Sequence, residues 1–367
     1  MSQTPHLLLR ATGPRCLHFP ASSVIADSVH CKKTRRSHLL LQALLTRDPA
    51  QPLTFMTIAI LYLLAGVALA WFGGELFVRG GVGLAAWARW PTAVIGVTVA
   101  AFGTSAPELM VAVHAAHDGV PQISLGDVLG SNVVNVSLVL ALVLSFSGIK
   151  AEDSGVLRDW FIALLVPGVV YALLMDGWFS RTDAVIMMGC FFAWLWVVIS
   201  HARAHASAHA AAPVEKVPVG KMLGFILLGL VLLIGSAQFV VHGGKTIATA
   251  LGWSPFIVGA VIVAVATSTP ELATTVIARM RGQHDVGLGN ILGSSIFNAF
   301  FIASVAALIQ PYKVNLPEIM PSLTFGALTT LLIIPGPGGY IGRFRGVLLL
   351  VIYAFYISLS MDHNTAH

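Results

Sequence analysis

Residues 94–109, VIGVTVAAFGTSAPEL, decide the fold of this chain, because they are met again at residues 257–272 as IVGAVIVAVATSTPEL. The offset is 163 positions, and it holds well beyond the quoted stretch. LGDVLGSNVVN at 125–135 falls on LGNILGSSIFN at 288–298, Gly80 and Gly81 fall on Gly243 and Gly244, and Trp90 falls on Trp253. Each copy sets a glutamate, Glu108 or Glu271, directly behind a proline inside an apolar run. The same 27 residues then separate Glu108 from Asn135 and Glu271 from Asn298.

The surroundings of these copies are those of a membrane protein. Of 367 residues, 56% are hydrophobic and 10% charged, against about 25% charged in a soluble domain. Mean hydropathy is +0.84. The apolar runs are continuous and about twenty residues long, the length of a membrane-spanning helix. Barrel strands would alternate over about ten residues. The net charge of +5 does not point to nucleic acid, because the basic residues stand at the ends of apolar runs. Cys16, Cys31 and Cys190 have neither zinc nor disulfide spacing.

The expected fold is an all-α membrane protein of ten transmembrane helices, arranged as two inverted five-helix repeats. The helices are expected near 56–78, 91–115, 125–147, 160–176, 182–201, 220–242, 254–278, 288–310, 318–335 and 344–361. Residues 1–55 form an N-terminal extension, read as disordered or as a start-site misassignment. The first repeat unit spans 56–201, a short linker 202–219, the second unit 220–361, and a tail 362–367. With the helix at Met56 starting outside, the inner loops carry Arg79, Arg89, Lys150, Arg158, Arg203, Lys216, Lys221, Arg279, Arg281, Arg343 and Arg345. Of the outer loops' residues only Arg181, Lys245 and Lys313 are basic, as the positive-inside rule requires, while the seven basic residues of the extension would lie outside against it. Five spans per copy is an odd number, so the second copy enters the membrane inverted. Inverted repeats whose helices are interrupted at matching positions mark secondary transporters with a site near the midplane.

The motif chemistry is that of oxygen ligands. Pro107 and Pro270 free carbonyls near Gly103 and Ala266. Thr104 and Ser105 share a helical face with Glu108, as Thr267 and Ser268 do with Glu271, Ser131 with Asn135, and Ser294 with Asn298. No Lys or Arg lies in these segments, so the charge of a midplane glutamate has to be met by a cation or a proton. Calcium accepts about six to eight oxygens in irregular geometry, whereas magnesium demands a tight octahedron. Soft metals would want Cys or His.

With GTSAPEL…GDVLGSNVVN and ATSTPEL…GNILGSSIFN, the chain resembles the sodium/calcium exchanger family of the cation/calcium antiporter superfamily, in its compact prokaryotic ten-helix form. The resemblance spans roughly residues 56–361. It implies a secondary antiporter, not an enzyme, that exchanges calcium for sodium by alternating access. It implies a cation site in which Glu108 and Glu271 are the calcium carboxylates shared with sodium. Thr104, Ser105, Thr267, Ser268, Ser131 and Ser294 complete the shells, Ala101 and Ala264 give backbone carbonyls, and Asn135 and Asn298 are the central polar residues. It also implies that the first and sixth helices slide over the remainder, with RGGVG and HGGKT as hinges.

No cofactor is expected. The partners are calcium and sodium ions and the lipid bilayer, with no nucleic acid, in a monomer of the bacterial inner membrane. Three positions depart from the family pattern: Asn298 where some members carry Asp, Ser295 for Asn, and Ala266 for Gly. The first of these leaves calcium/proton antiport as an alternative. A cation channel is the alternative of another class, disfavoured by the inverted repeat. Outside the site, Asp127 and Asn290 are read as helix caps or entrance groups. Glu75 is read as an interfacial charge, His201, His205 and His209 as a solvated loop, and PGPGG at 335–339 as a turn.

Overall fold

The computed structural model describes residues 51–87, 101–151, 154–205, 218–280 and 284–365. The expected extension up to residue 50 and most of the linker lie outside these residues. In chain order the helices are α1 (Gln51–Trp87), α2 (Ala101–Thr104), α3 (Ala106–His117) and α4 (Pro121–Val134). A π-helical segment, Asn135–Leu140, continues α4 into α5 (Ala141–Phe146). Then follow α6 (Ser154–Leu174), α7 (Arg181–His205), α8 (Val219–Leu251) and α9 (Pro255–Val258). A π segment, Gly259–Val263, leads from α9 into α10 (Ala264–Thr267). The rest are α11 (Thr269–Met280), α12 (His284–Phe297), a π segment Asn298–Ile302, α13 (Ala303–Ile309), α14 (Leu316–Leu332) and α15 (Arg343–Thr365).

Seven of the described helical stretches are long and apolar enough to cross a membrane, and an eighth is the pair α9–α10 and α11, bent by 40°. Two spans are central: Pro121–Phe146 is 78% buried and Gly287–Ile309 is 83% buried, while no other exceeds 33%. The outer spans turn large apolar side chains outward, among them Leu64, Phe72, Phe161, Trp196, Val231 and Phe355. An apolar surface of that kind suits lipid and not water.

Among the described residues, four two-residue strands tie the loops together. β1 (Ile149–Lys150) pairs antiparallel with β4 (Tyr340–Ile341), and β2 (Trp178–Phe179) with β3 (Tyr312–Lys313). The PGPGG turn is present as a short 3₁₀ segment, Pro337–Gly339, with Gly338 and Gly339 at positive φ.

Several helices outrun their expected bounds. α1 and α8 continue straight through RGGVG and HGGKT, so these glycines are not breaks. They are places of close approach between helices. A Cβ on Gly80 would come within 2.7 Å of the Met222 carbonyl oxygen, and one on Gly243 within 3.0 Å of the Ala59 oxygen. Gly73 and Gly229 oppose each other midway, and the Ser236 hydroxyl donates to the Gly66 carbonyl at 2.8 Å. Small residues let membrane helices pack backbone to backbone, where dispersion rather than water drives association.

Candidate cation site

Both proline–glutamate motifs lie at helix breaks. Ser105 (φ −89°, ψ 12°) separates α2 from α3, and Ser268 (φ −75°, ψ 6°) separates α10 from α11. A proline is tolerated there because it sits in the first turn of a new helix, where its missing N–H would have no partner anyway. Glu108 and Glu271 therefore occupy the first turns of α3 and α11, at the positive end of each helix dipole. The break answers why the chain can bury a carboxylate beside a helix breaker: it supplies partial positive charge without a basic side chain.

Glu108, Glu271 and Asp127 are all fully buried. Among the described residues, none of the ion pairs involves them. Neither carboxylate oxygen of Glu108 accepts a hydrogen bond. Oε1 of Glu271 accepts from Ser105 at 2.9 Å and from Ser294 at 3.4 Å, and Oε2 accepts none. Ser105 also lies 3.1 Å from the Ser294 hydroxyl. Thr267 donates to Asp127 Oδ1 at 2.8 Å, Ser131 lies 3.4 Å from the same oxygen, and Thr104 lies 3.4 Å from Asn290 Oδ1.

These bonds cross between the two motif copies. The expected helical face shared by Ser105 and Glu108 is cut by the bend at Ser105, and the hydroxyl meets Glu271 instead. Asn135 and Asn298 each open a π segment, fully buried with their amides unbonded. π bulges of this kind recur at functional sites. Ser268 is buried without a hydroxyl partner. The Ala264 carbonyl accepts the Thr267 hydroxyl at 3.4 Å, and Ala101 lies in α2. Thr269 donates to the Ala266 carbonyl at 2.8 Å, so the oxygen expected to be freed by Pro270 is engaged. The residue at that place in the first copy, Ala106, has no hydroxyl.

Asp127 corrects the expectation of a cap. Pro121 opens α4, which leaves Asp127 inside the helix, on a segment packed closely against its neighbours. A Cβ on Gly126 would lie 2.1 Å from the Phe256 oxygen, and one on Gly130 2.4 Å from the Ala260 oxygen. Asn290 is likewise interior to α12 and buried. The signal was present in the sequence: Asp127, Ser131 and Asn135 recur every four residues and so line one face. Glu75 is exposed and paired with Arg79 at 2.5 Å. His201 and His205 lie in α7 and not in a loop, and His209 lies outside the described residues.

Comparison with known proteins gives this arrangement a family. The family model described as sodium/calcium exchanger protein matches residues 58–200 and 221–361. The chain belongs to the sodium/calcium exchanger family. It is 31% identical to the candidate antiporter CaxA of Alkalimonas amylolytica, over 82% of this chain and 98% of CaxA. It is 27% identical to the inner membrane protein YrbG of Escherichia coli, over 83% of this chain and 97% of YrbG. Among solved structures, the sodium-calcium exchanger NCX_Mj soaked with sodium and strontium superposes with a TM-score of 0.58. It shares 29% identity and covers 83% of this chain and 98% of its own.

Proposed function

We propose that this exchanger-family chain moves calcium against sodium by alternating access, with both ions taken at Glu108 and Glu271. One observation carries the reading: two buried glutamates at broken-helix N-termini have no basic partner among the described residues, and a Ser105 bond links the copies. Such carboxylates are neutralised by what is transported. Thr104, Ser105, Thr267, Ser268, Ser131, Ser294, Asn135 and Asn298 supply further oxygens, with the carbonyls of Ala101 and Ala264. Calcium suits this mixed oxygen set because it tolerates many ligands in irregular geometry.

The reading includes ten spans in two inverted halves, 56–201 and 220–361. The 163-residue offset supports it in three places. It carries β1 onto β3 and β2 to within one residue of β4, so the two strand pairs occupy corresponding places in the two halves. It carries the π segment at Asn135 onto that at Asn298 and the break at Ser105 onto that at Ser268. Close packing of α1 on α8 makes these two helices a unit able to slide together. A monomer suffices for such a cycle, and the inner-membrane name of YrbG supports placing the chain in a bacterial inner membrane.

The test is calcium-45 flux in liposomes under imposed sodium, potassium and pH gradients. Sodium-driven, saturable calcium flux is expected. Asn298, where a carboxylate is found in some members, favours calcium/proton exchange as the second reading. Flux driven by pH and not by sodium would replace the first reading with it.

A further inference from the structure

Among the described residues, the three buried carboxylates without a basic partner outnumber the two that one calcium balances, and the third is not placed like the others. Asp127 belongs to the first half alone; its counterpart in the second half, Asn290, is neutral. The carboxylate of Glu108 lies within electrostatic reach of both Glu271 and Asp127. Yet among the described residues no three acidic, His or Cys side chains gather closely enough to chelate one metal ion. The charges therefore serve more than one ion position.

Around Asp127 the structure assembles a small set of oxygens. Oδ1 is bridged to Thr267 at 2.8 Å and lies 3.4 Å from Ser131, while Oδ2 is buried and accepts no hydrogen bond. The Thr267 hydroxyl is also 3.2 Å from the Val263 carbonyl and 3.4 Å from that of Ala264. Both carbonyls lie at the junction of a π segment with α10, where the regular ladder changes register. One carboxylate, two hydroxyls and two carbonyls carry a single negative charge. That matches a monovalent cation and leaves a divalent ion undercompensated. In the second half the mirror contact, Thr104 with Asn290, has the oxygens without the charge.

We infer that Asp127 is the anionic ligand of a sodium position at Thr267, separate from the place where Glu108 and Glu271 take calcium. This deepens the exchange reading and rests on it. It makes the two halves unequal: sodium is held more tightly beside Asp127 than at the mirror position beside Asn290. It also supplies a charge that Asn298 does not.

The experiment counts sodium. Purified full-length protein in detergent is titrated with sodium-22 by equilibrium dialysis, and the sodium needed to displace calcium-45 is measured in parallel. Asp127→Asn keeps a carbonyl oxygen to accept the Thr267 hydrogen bond and removes only the charge. It is expected to bind one sodium ion fewer and to raise the displacing sodium concentration about tenfold. Asn290→Asp added to Asp127→Asn moves the carboxylate to the mirror position and is expected to restore the count. If Asp127→Asn elutes aggregated, the same counts on Asp127→Ser decide. An unchanged sodium count and displacement curve in the variant overturn the inference, whatever proton Asp127 then carries. Wild-type protein that binds sodium yet shows no sodium-driven calcium flux overturns the proposed function and leaves the Asp127 position standing.

Discussion

Glu108→Gln separates a transport carboxylate from a structural one, because the two roles predict opposite changes in stability. Glu108 is fully buried and neither of its oxygens accepts a hydrogen bond. With calcium chelated, a carboxylate charge held there costs about 2.5–3.5 kcal/mol for a residue at a helix centre in the bilayer. Glutamine removes the charge but adds amide hydrogens without partners, at about 1–2 kcal/mol. The net is a stabilisation of about 1–2 kcal/mol, or a rise of about 1–3 °C in Tm for a protein of this size. Binding moves the other way. A unit charge and a divalent ion about 4 Å apart interact by about 8 kcal/mol at an effective dielectric constant of 20. The glutamine oxygen and the desolvation it avoids return part of this. A loss of at least about 4 kcal/mol remains, roughly a thousandfold in calcium affinity.

The assay is thermal unfolding of purified protein in chelator and in calcium, paired with calcium-45 flux in liposomes. Wild-type Tm should rise with calcium; the variant should start higher, gain nothing from calcium and carry no flux. A variant that unfolds earlier than wild type in chelator, or that is still stabilised by calcium, would refute the reasoning.

Ser105→Ala removes the 2.9 Å bond to Glu271 and the contact with Ser294; a hydrogen bond to a charged group is worth about 1.5–3 kcal/mol, so the calcium KM should rise at least about tenfold in flux assays. Gly126→Ala drives a methyl group to 2.1 Å from the Phe256 oxygen and should lower Tm and monodisperse yield, as overpacking does at about 1–3 kcal/mol or more. Gly168→Ala, in α6 with nothing within 4 Å of its Cβ, should leave both intact. Just past the end of α3, the Asp118 carboxyl is held below its usual range by the Lys245 ammonium, hydrogen-bonded to it at 2.8 Å. A depressed pKa contributes stability above the unfolded value that is lost as pH falls through the folded one. The Tm advantage of wild type over Lys245→Met should therefore be present near neutrality and vanish below about pH 3–4.

Much of the architecture is legible in residue spacing alone. Apolar runs announce spans, and the order of Gly, Thr or Ser, Pro and Glu announces where two of them break. What the spacing misjudged has a common cause. RGGVG and HGGKT look like hinges because glycine weakens an isolated helix, but in α1 and α8 those glycines are held by a neighbouring backbone that no local pattern shows. Asp127 looks like a cap because it follows a short loop, until Pro121 is seen to open the helix six residues earlier.

The covalent order by itself determined the duplicated unit, the membrane as solvent and the two glutamates, because periodicity, helix breaking and the cost of buried charge all act within a few turns of chain. Only the tertiary structure decided which hydroxyl serves which carboxylate. Ser105 and Glu271 are 166 residues apart, and Thr267 and Asp127 are 140 apart. Such partners are chosen by how closely the glycine faces of α4 and the π segment at Gly259 approach, a property of the packed pair and not of either strand of sequence.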